Sequence, residues 1–267
     1  MSDPLLRVED LSVAYQGRQV LDRISLEVRQ GELLSIVGPS GCGKSTLLNA
    51  LSSLLAAEAT SSGRIELAPS ARLGYMFQRD ALLPWFSVLR NVEIGAELRG
   101  LPASQRQAVA RRWLQAVHLH GVDSYYPGQL SGGMRQRVSL ARVLAYDPEL
   151  ILLDEPFVAL DLFTRMNLQD QLLETWRTTR KTMIIVTHDP EEALALGTRV
   201  LVFERDPGRV HTQFELCWPR DRTVERLRTT DDFLAMSRRL WNVLLEVGAS
   251  ASARQGSEST EIGAAVA

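Results

Sequence analysis

Apolar and polar positions alternate only in part over Leu5–Tyr15 and Val20–Val28, on either side of the turn-like Gln16-Gly17-Arg18. That period-two pattern predicts two half-buried strands. Leu33–Val37 is a short apolar run, as expected of a strand covered on both faces. A Gly-rich loop follows it. A helical stretch is predicted from about Lys44 to Ala56, then a loop at Thr60–Gly63, then two short strands flanking Ala68–Arg72.

The middle of the chain reads as helical. Ser104 and Gln107 have the spacing of a capping box opening an amphipathic segment to about Leu119. Tyr125–Gly128 interrupts the pattern before a second helix over roughly Gly132–Ala145. Leu150–Leu153 and Met183–Thr187 are apolar runs that alternate with helical segments beginning near Asp161 and Pro190, which predicts central parallel strands. Arg199–Phe203 and Arg209–Leu216 read as a hairpin around Asp206-Pro207-Gly208. A last amphipathic helix is predicted over about 231–247. From Gly248 the periodicity stops, so residues 249–267 are expected to form a disordered tail after one domain spanning 1–248.

Composition adds limits. With 267 residues, 45% hydrophobic and 23% charged, the chain is ordinary for a globular domain. A net charge of −2 argues against a general polyanion binder, and no nucleic-acid partner is expected. Cys42 and Cys217 make neither a disulfide framework nor a metal-site spacing. The N-terminal MSDPLLRVEDLS has acids where a secretory leader would have a basic, then apolar, stretch. A cytosolic chain is expected, with any membrane role supplied by a partner. Among thirty Lys and Arg residues only Lys44 and Lys181 are lysines, which makes the position of Lys44 conspicuous.

Lys44 lies in Gly38-Pro39-Ser40-Gly41-Cys42-Gly43-Lys44-Ser45, which fits G-x-x-x-x-G-K-[ST] between a predicted strand and a predicted helix. Glycines let the backbone N–H groups close around phosphate, and the helix N-terminus adds positive potential. Lys44 is placed to reach the β- and γ-phosphates and the Ser45 hydroxyl to ligate Mg²⁺. A Gly-rich turn matching by accident is the plain alternative, and the strand–loop–helix context weighs against it. Leu150–Leu153 ends in Asp154-Glu155. Alone, that is an ordinary solvated strand end. In a parallel sheet it falls at the same edge as the phosphate loop, with Asp154 opposite Ser45 as a metal ligand and Glu155 beside the γ-phosphate to polarise water.

Leu130-Ser131-Gly132-Gly133-Met134 selects among phosphate-loop families. It resembles the signature motif of ABC transporter ATP-binding subunits, and Ser131 with the Gly132 and Gly133 amides at a helix start forms a second anion site. The resemblance covers about Leu5 to Leu216. It implies a phosphate-loop NTPase core of the α/β class, with a mainly parallel sheet, an N-terminal antiparallel β subdomain, and a helical subdomain of about 87–146 carrying the signature. It further implies roles: Tyr15 stacking on adenine, Thr46 within the ATP-binding set, and Gln78 as the Q-loop glutamine near the metal. Ala159-Leu160-Asp161 is then the D-loop and His188 the switch histidine. Each of these taken singly has a plainer reading as a packed aromatic, a loop cap or a strand-end histidine. Val158 departs from the small residue usual before the D-loop.

What the resemblance implies for function is ATP hydrolysis with ATP and Mg²⁺. Two copies pair head-to-tail, each ATP lying between one phosphate loop and the other copy's signature. Phe77-Gln78, Leu82-Leu83-Pro84-Trp85, Asn91-Val92, Asp154–Phe157, Leu162–Arg165 and Asp206–Val210 look like the nitrate/sulfonate/taurine importer branch. That branch implies transmembrane permease subunits, indirectly a solute-binding protein, and a place on the cytoplasmic face of the inner membrane. A soluble ABC-type ATPase acting on ribosomes or DNA is the alternative. Two further expectations concern single residues. Cys42, at a helix N-terminus, is expected to be a reactive thiol. Leu82, Leu83, Trp85 and Phe86 are expected either to line a groove for the permease or to pack into the domain's own core.

Overall fold

The computed structural model describes residues 4–158 and 160–264, with side chains described through residue 249. β1 (Leu6–Tyr15) and β2 (Arg18–Val28) pair antiparallel, and Leu21, Ile24, Leu26 and Val28 of β2 point inward. β3 (Leu33–Val37) is buried at every position. α1 (Lys44–Leu51) ends short of the predicted Ala56, where Ser53 turns into the left-handed region at φ 58°.

The predicted loop at Thr60–Gly63 is instead part of strand β4 (Ala59–Leu67). Its polar, turn-like residues are mostly exposed, and backbone pairing with β1 makes it a strand. Tertiary pairing overrides weak local propensity there. The first sheet therefore has the order β2-β1-β4.

The helical part comprises α2 (Val88–Leu98), α3 (Ala103–Ala116) and α4 (Gly132–Tyr146), followed in chain order by α5 (Leu162–Thr179) and α6 (Pro190–Leu196). The predicted capping box at Ser104 and Gln107 does not form. Pro102 is the N-cap of α3, with no side-chain cap bond, so Ser104 already lies within the first turn. α2 and α4 approach so closely that a Cβ on Gly95 would sit 2.2 Å from the Arg142 carbonyl oxygen.

β5 (Leu73–Met76), β6 (Leu150–Asp154), β7 (Thr182–Thr187), β8 (Arg199–Glu204) and β9 (Arg209–Glu215) complete the second sheet, ordered β5-β6-β7-β3-β8-β9. All its pairs are parallel except the β8–β9 hairpin. β6 and β7 are buried throughout, which is why they read as unbroken apolar runs. The carboxyl ends of β3, β6 and β7 thus share one edge, where open α/β sheets bind ligands.

After α7 (Val224–Arg228), α8 spans Asp231–Ala264, longer than the predicted 231–247. Phe233, Leu240 and Val247 form its buried face. Past Gly248 α8 continues to Ala264. Residues 265–267 of the expected tail lie outside the described residues. Among the described residues no helix is long and apolar enough to cross a membrane.

Candidate nucleotide site

The loop after β3 wraps back on itself. Gly43 has φ 91°, and a Cβ there would lie 2.5 Å from the Leu21 side chain, so the turn into α1 requires glycine. Lys44 is buried, its Nζ donating to the Gly38 carbonyl at 2.7 Å and the Pro39 carbonyl at 3.1 Å. This folds its ammonium over the loop. Ser40, Gly41 and Ser45 are exposed, and Thr46 is half-buried in the first turn of α1. Tyr15 ends β1 half-buried against the apolar cluster that contains Cys42 and Leu47.

Cys42 does not meet its expectation. The side chain is 1% exposed and belongs to that cluster, and burial pushes its thiol pKa up, with the Lys44 ammonium opposing by less. The loop turns the thiol toward the core, so helix-terminus activation does not prevail.

Ser45 Oγ donates to Asp154 Oδ1 at 3.1 Å, joining the start of α1 to the end of β6. Asp154 is nearly buried, and burial raises its pKa, with the Ser45 bond opposing. One hydroxyl and one carboxylate, both hard oxygen donors, suit Mg²⁺, which takes few protein ligands and completes its shell with substrate phosphates and water. Accordingly, among the described residues no cluster of three His, Cys, Asp or Glu forms an all-protein cage.

Glu155 follows in the left-handed region at φ 47°, unusual for a glutamate and of the kind found at working sites. Its backbone N–H donates to the Val186 carbonyl at 2.9 Å, continuing the β6–β7 ladder. Two side chains converge on its carboxylate. Gln78 Nε2 donates to Oε2 at 3.1 Å, and His188 Nδ1 lies 3.3 Å from Oε1. Gln78, Glu155 and His188 come from the segments after β5, β6 and β7, so the sheet order itself assembles them. The arrangement can hold a water against a carboxylate beside bound phosphate.

Ser131 and Asp161 are helix N-caps. Ser131 accepts from the Met134 N–H at 3.3 Å and opens α4, while Asp161 accepts from the Thr164 N–H at 3.1 Å and opens α5. The first turn of α4 exposes Ser131 and leaves Gly132 and Gly133 half-buried. Gly133 packs on Leu160, where a Cβ would come within 2.6 Å of its side chain. Among the described residues no hydrogen bond or salt bridge joins Ser131–Gly133 to Gly38–Ser45.

The sequence pattern described as ABC transporter matches residues 21–158, half of the chain. The chain belongs to the ABC transporter family. An uncharacterised ABC transporter ATP-binding protein of Methanocaldococcus jannaschii is 42% identical over 90% of this chain and 91% of its own length. The taurine import ATP-binding protein TauB of Yersinia pestis is 45% identical over 79% of this chain and 84% of its own. Among solved structures, the dimeric post-hydrolysis state of an ATP-binding cassette bound to ADP and Pi superposes with a TM-score of 0.71. It is 29% identical and covers 80% of this chain and 100% of its own. The chain is an ATP-binding ATPase of that family and resembles its taurine-import branch.

Several contacts around the site are not legible in the sequence. Arg135 of α4 pairs with Asp80 at 2.7 Å, and Arg142 donates to the Ala81 carbonyl at 3.0 Å, tying the Gln78 loop to the signature helix. Asn91, noted only as a branch marker, is fully buried and organises the loop holding Trp85. Asp80 carries no motif and Arg135 follows the signature; their acid-and-base pairing across 55 positions is invisible until the chain folds. The apolar cluster divides: Leu82 packs into the core, Leu83 and Phe86 are half-buried, and Trp85 stands 67% exposed.

Proposed function

We propose that the chain is the ATP-hydrolysing subunit of an importer for a small anion of the nitrate, sulfonate or taurine kind, working with a separate permease. The convergence of Gln78 and His188 on Glu155, next to the Ser45–Asp154 pair, is the observation that carries the catalytic part. In this reading Gly38–Thr46 cradle the phosphates of ATP, Lys44 exchanges its loop carbonyls for phosphate oxygens, and Tyr15 supports the base. Ser45 and Asp154 hold Mg²⁺, with Gln78 offering its amide oxygen. A bound ion there would supply charge neutralisation to the phosphates of ATP.

Glu155 orients the attacking water and takes its proton, and His188 holds the carboxylate in place. Ser131, Gly132 and Gly133 grip the ATP held by a second copy, and Asp161 sets the start of α5 at that boundary. The likeness to a dimeric cassette supports this pairing. Likeness to taurine import ATP-binding proteins supports the solute class and, through it, a permease, indirectly a solute-binding protein, and the cytoplasmic face of the inner membrane. Exposed Trp85 is the anchor for the permease.

The test is Glu155→Gln. The variant is expected to bind ATP, accumulate an ATP-bound dimer and turn over ~10²–10⁴-fold more slowly. Near-normal turnover removes Glu155 from the role. Mixing a Lys44→Ala chain with a Ser131→Arg chain should restore activity, because both lesions then fall on one composite site. A crosslink between cysteines placed beside Ser40 and Ser131 that forms within one chain would refute the pairing.

A further inference from the structure

Glu192 is a buried acid that the mechanism above does not use. It is the third residue of α6, whose N-cap is Asp189. A glutamate there ordinarily folds back onto the cap's backbone N–H. Here the Thr187 hydroxyl takes the Asp189 N–H at 3.0 Å, and the Glu192 carboxyl turns inward, 4% exposed. Gln169 of α5 donates its Nε2 to Glu192 Oε2 at 3.0 Å, and Thr187 engages the same carboxyl. Gln169 is itself fully buried, and its Oε1 has no hydrogen-bond partner among the described residues.

An orphaned buried acceptor is costly, and a carboxylate has no proton with which to satisfy it. A carboxylic acid does: acid and primary amide join through two antiparallel bonds, O–H to amide oxygen and N–H to acid oxygen. Glu192 also lines a cavity of about 70 Å³ together with Glu155, Thr187 and His188. The charged groups facing it are Arg165 from α5, Asp189 from α6, and Glu155 and His188 at the ends of β6 and β7. Arg165 is bonded to the Leu160 carbonyl and lies near Asp189, and among the described residues no cation forms a salt bridge with Glu192.

We propose that Glu192 is a positioning residue for His188: its protonated acid clasps the Gln169 amide, ties α5 to α6, and through Thr187 fixes the segment presenting His188 to Glu155. This rests on the ATPase reading above. Burial pushes the Glu192 pKa up to about 7, the Thr187 bond opposing and the nearby Asp189 adding to the rise. Below that value the acid is neutral and the clasp is closed. Above it the carboxylate loses its bond to Gln169 Oε1 and sets a second negative charge beside Glu155.

Turnover of MgATP by the full-length chain is measured from about pH 6 to about pH 9, with Glu192→Gln, a neutral amide that keeps both bonds, as the comparison. The ratio of wild-type to variant kcat is expected to fall about five-fold through a single step near neutrality, the worth of one buried hydrogen bond, with KM for ATP unchanged. Gln169→Leu keeps the volume, removes the acceptor, and should lower kcat about five-fold at the acid end while the chain still melts cooperatively. A ratio that stays constant across the range overturns the proposal, as does a Gln169→Leu chain with wild-type kcat at the acid end. Should Glu192→Gln fail to fold, Gln169→Leu decides alone. A wild-type chain that hydrolyses no ATP would instead refute the ATPase reading.

Discussion

Replacing Asn91 by alanine tests how the loop that displays Trp85 is held. Asn91 is the fourth residue of α2 and is fully buried. Its Oδ1 accepts from the Leu83 N–H at 2.9 Å, and its Nδ2 protons are shared among the carbonyls of Leu83 at 3.1 Å, Phe86 at 3.0 Å and Ser87 at 3.0 Å. With two amide protons and one accepting oxygen, that amounts to three independent bonds. At ~1 kcal/mol each, Asn91→Ala should cost ~3 kcal/mol, less whatever the half-buried loop carbonyls regain by rehydration and more if the Leu83 N–H stays dry. Asn91→Asp separates bonding from volume. It keeps the acceptor for Leu83 but turns an oxygen, and a buried charge, toward three carbonyls, so it should destabilise at least as much as alanine. Urea unfolding followed by circular dichroism gives both values. An aspartate variant as stable as wild type, or an alanine variant within ~0.5 kcal/mol of it, would refute the reasoning.

Three further outcomes are expected. A thiol reagent added to the folded chain should modify exposed Cys217 and leave buried Cys42 unreacted; rapid labelling of Cys42, read by peptide mass, contradicts its orientation. Glu149 is held down to about 2 by its hydrogen bonds and ion pair with Arg72, from an ordinary 4.5. A lowered folded value gives stability that is present above about 4.5 and is lost as pH falls toward about 2, so Glu149→Gln should flatten the stability–pH slope in that window; an unchanged slope refutes it. Its partial exposure keeps the effect modest. Trp85→Ala should leave the isolated chain folded and its basal ATPase intact while weakening co-purification with a permease; unfolding would place Trp85 in the core instead.

The phosphate loop was legible because its chemistry leaves little freedom: backbone must touch phosphate, so glycines fall at fixed spacing between a buried strand and a helix. Asp154 and Glu155 were legible for a related reason, since a fully apolar strand that stops at two acids has only one edge to offer. The Thr60–Gly63 strand was not, because its residues favour turns and only β1 makes them a ladder. Ser104 misled because a capping box is a spacing rule, and Pro102 two residues earlier set the helix start. Cys42 shows a finer limit: sequence places a residue in a loop but not the direction its side chain takes. Asn91 and Glu192 are polar side chains in apolar surroundings, whose partners lie up to 23 residues away or across a loop.

The contact at Gly95 sets a mechanical condition on the helical layer. Where two helices meet nearly backbone to backbone, with only the Ala145 methyl beside the contact, there is little cushion to compress. α2 therefore cannot slide or tilt without carrying α4 along, and the Arg135–Asp80 and Arg142–Ala81 ties remove slack from the loop beside them. Trp85, just before α2, and Ser131, the N-cap of α4, thus stand on two helices joined by the same close contact.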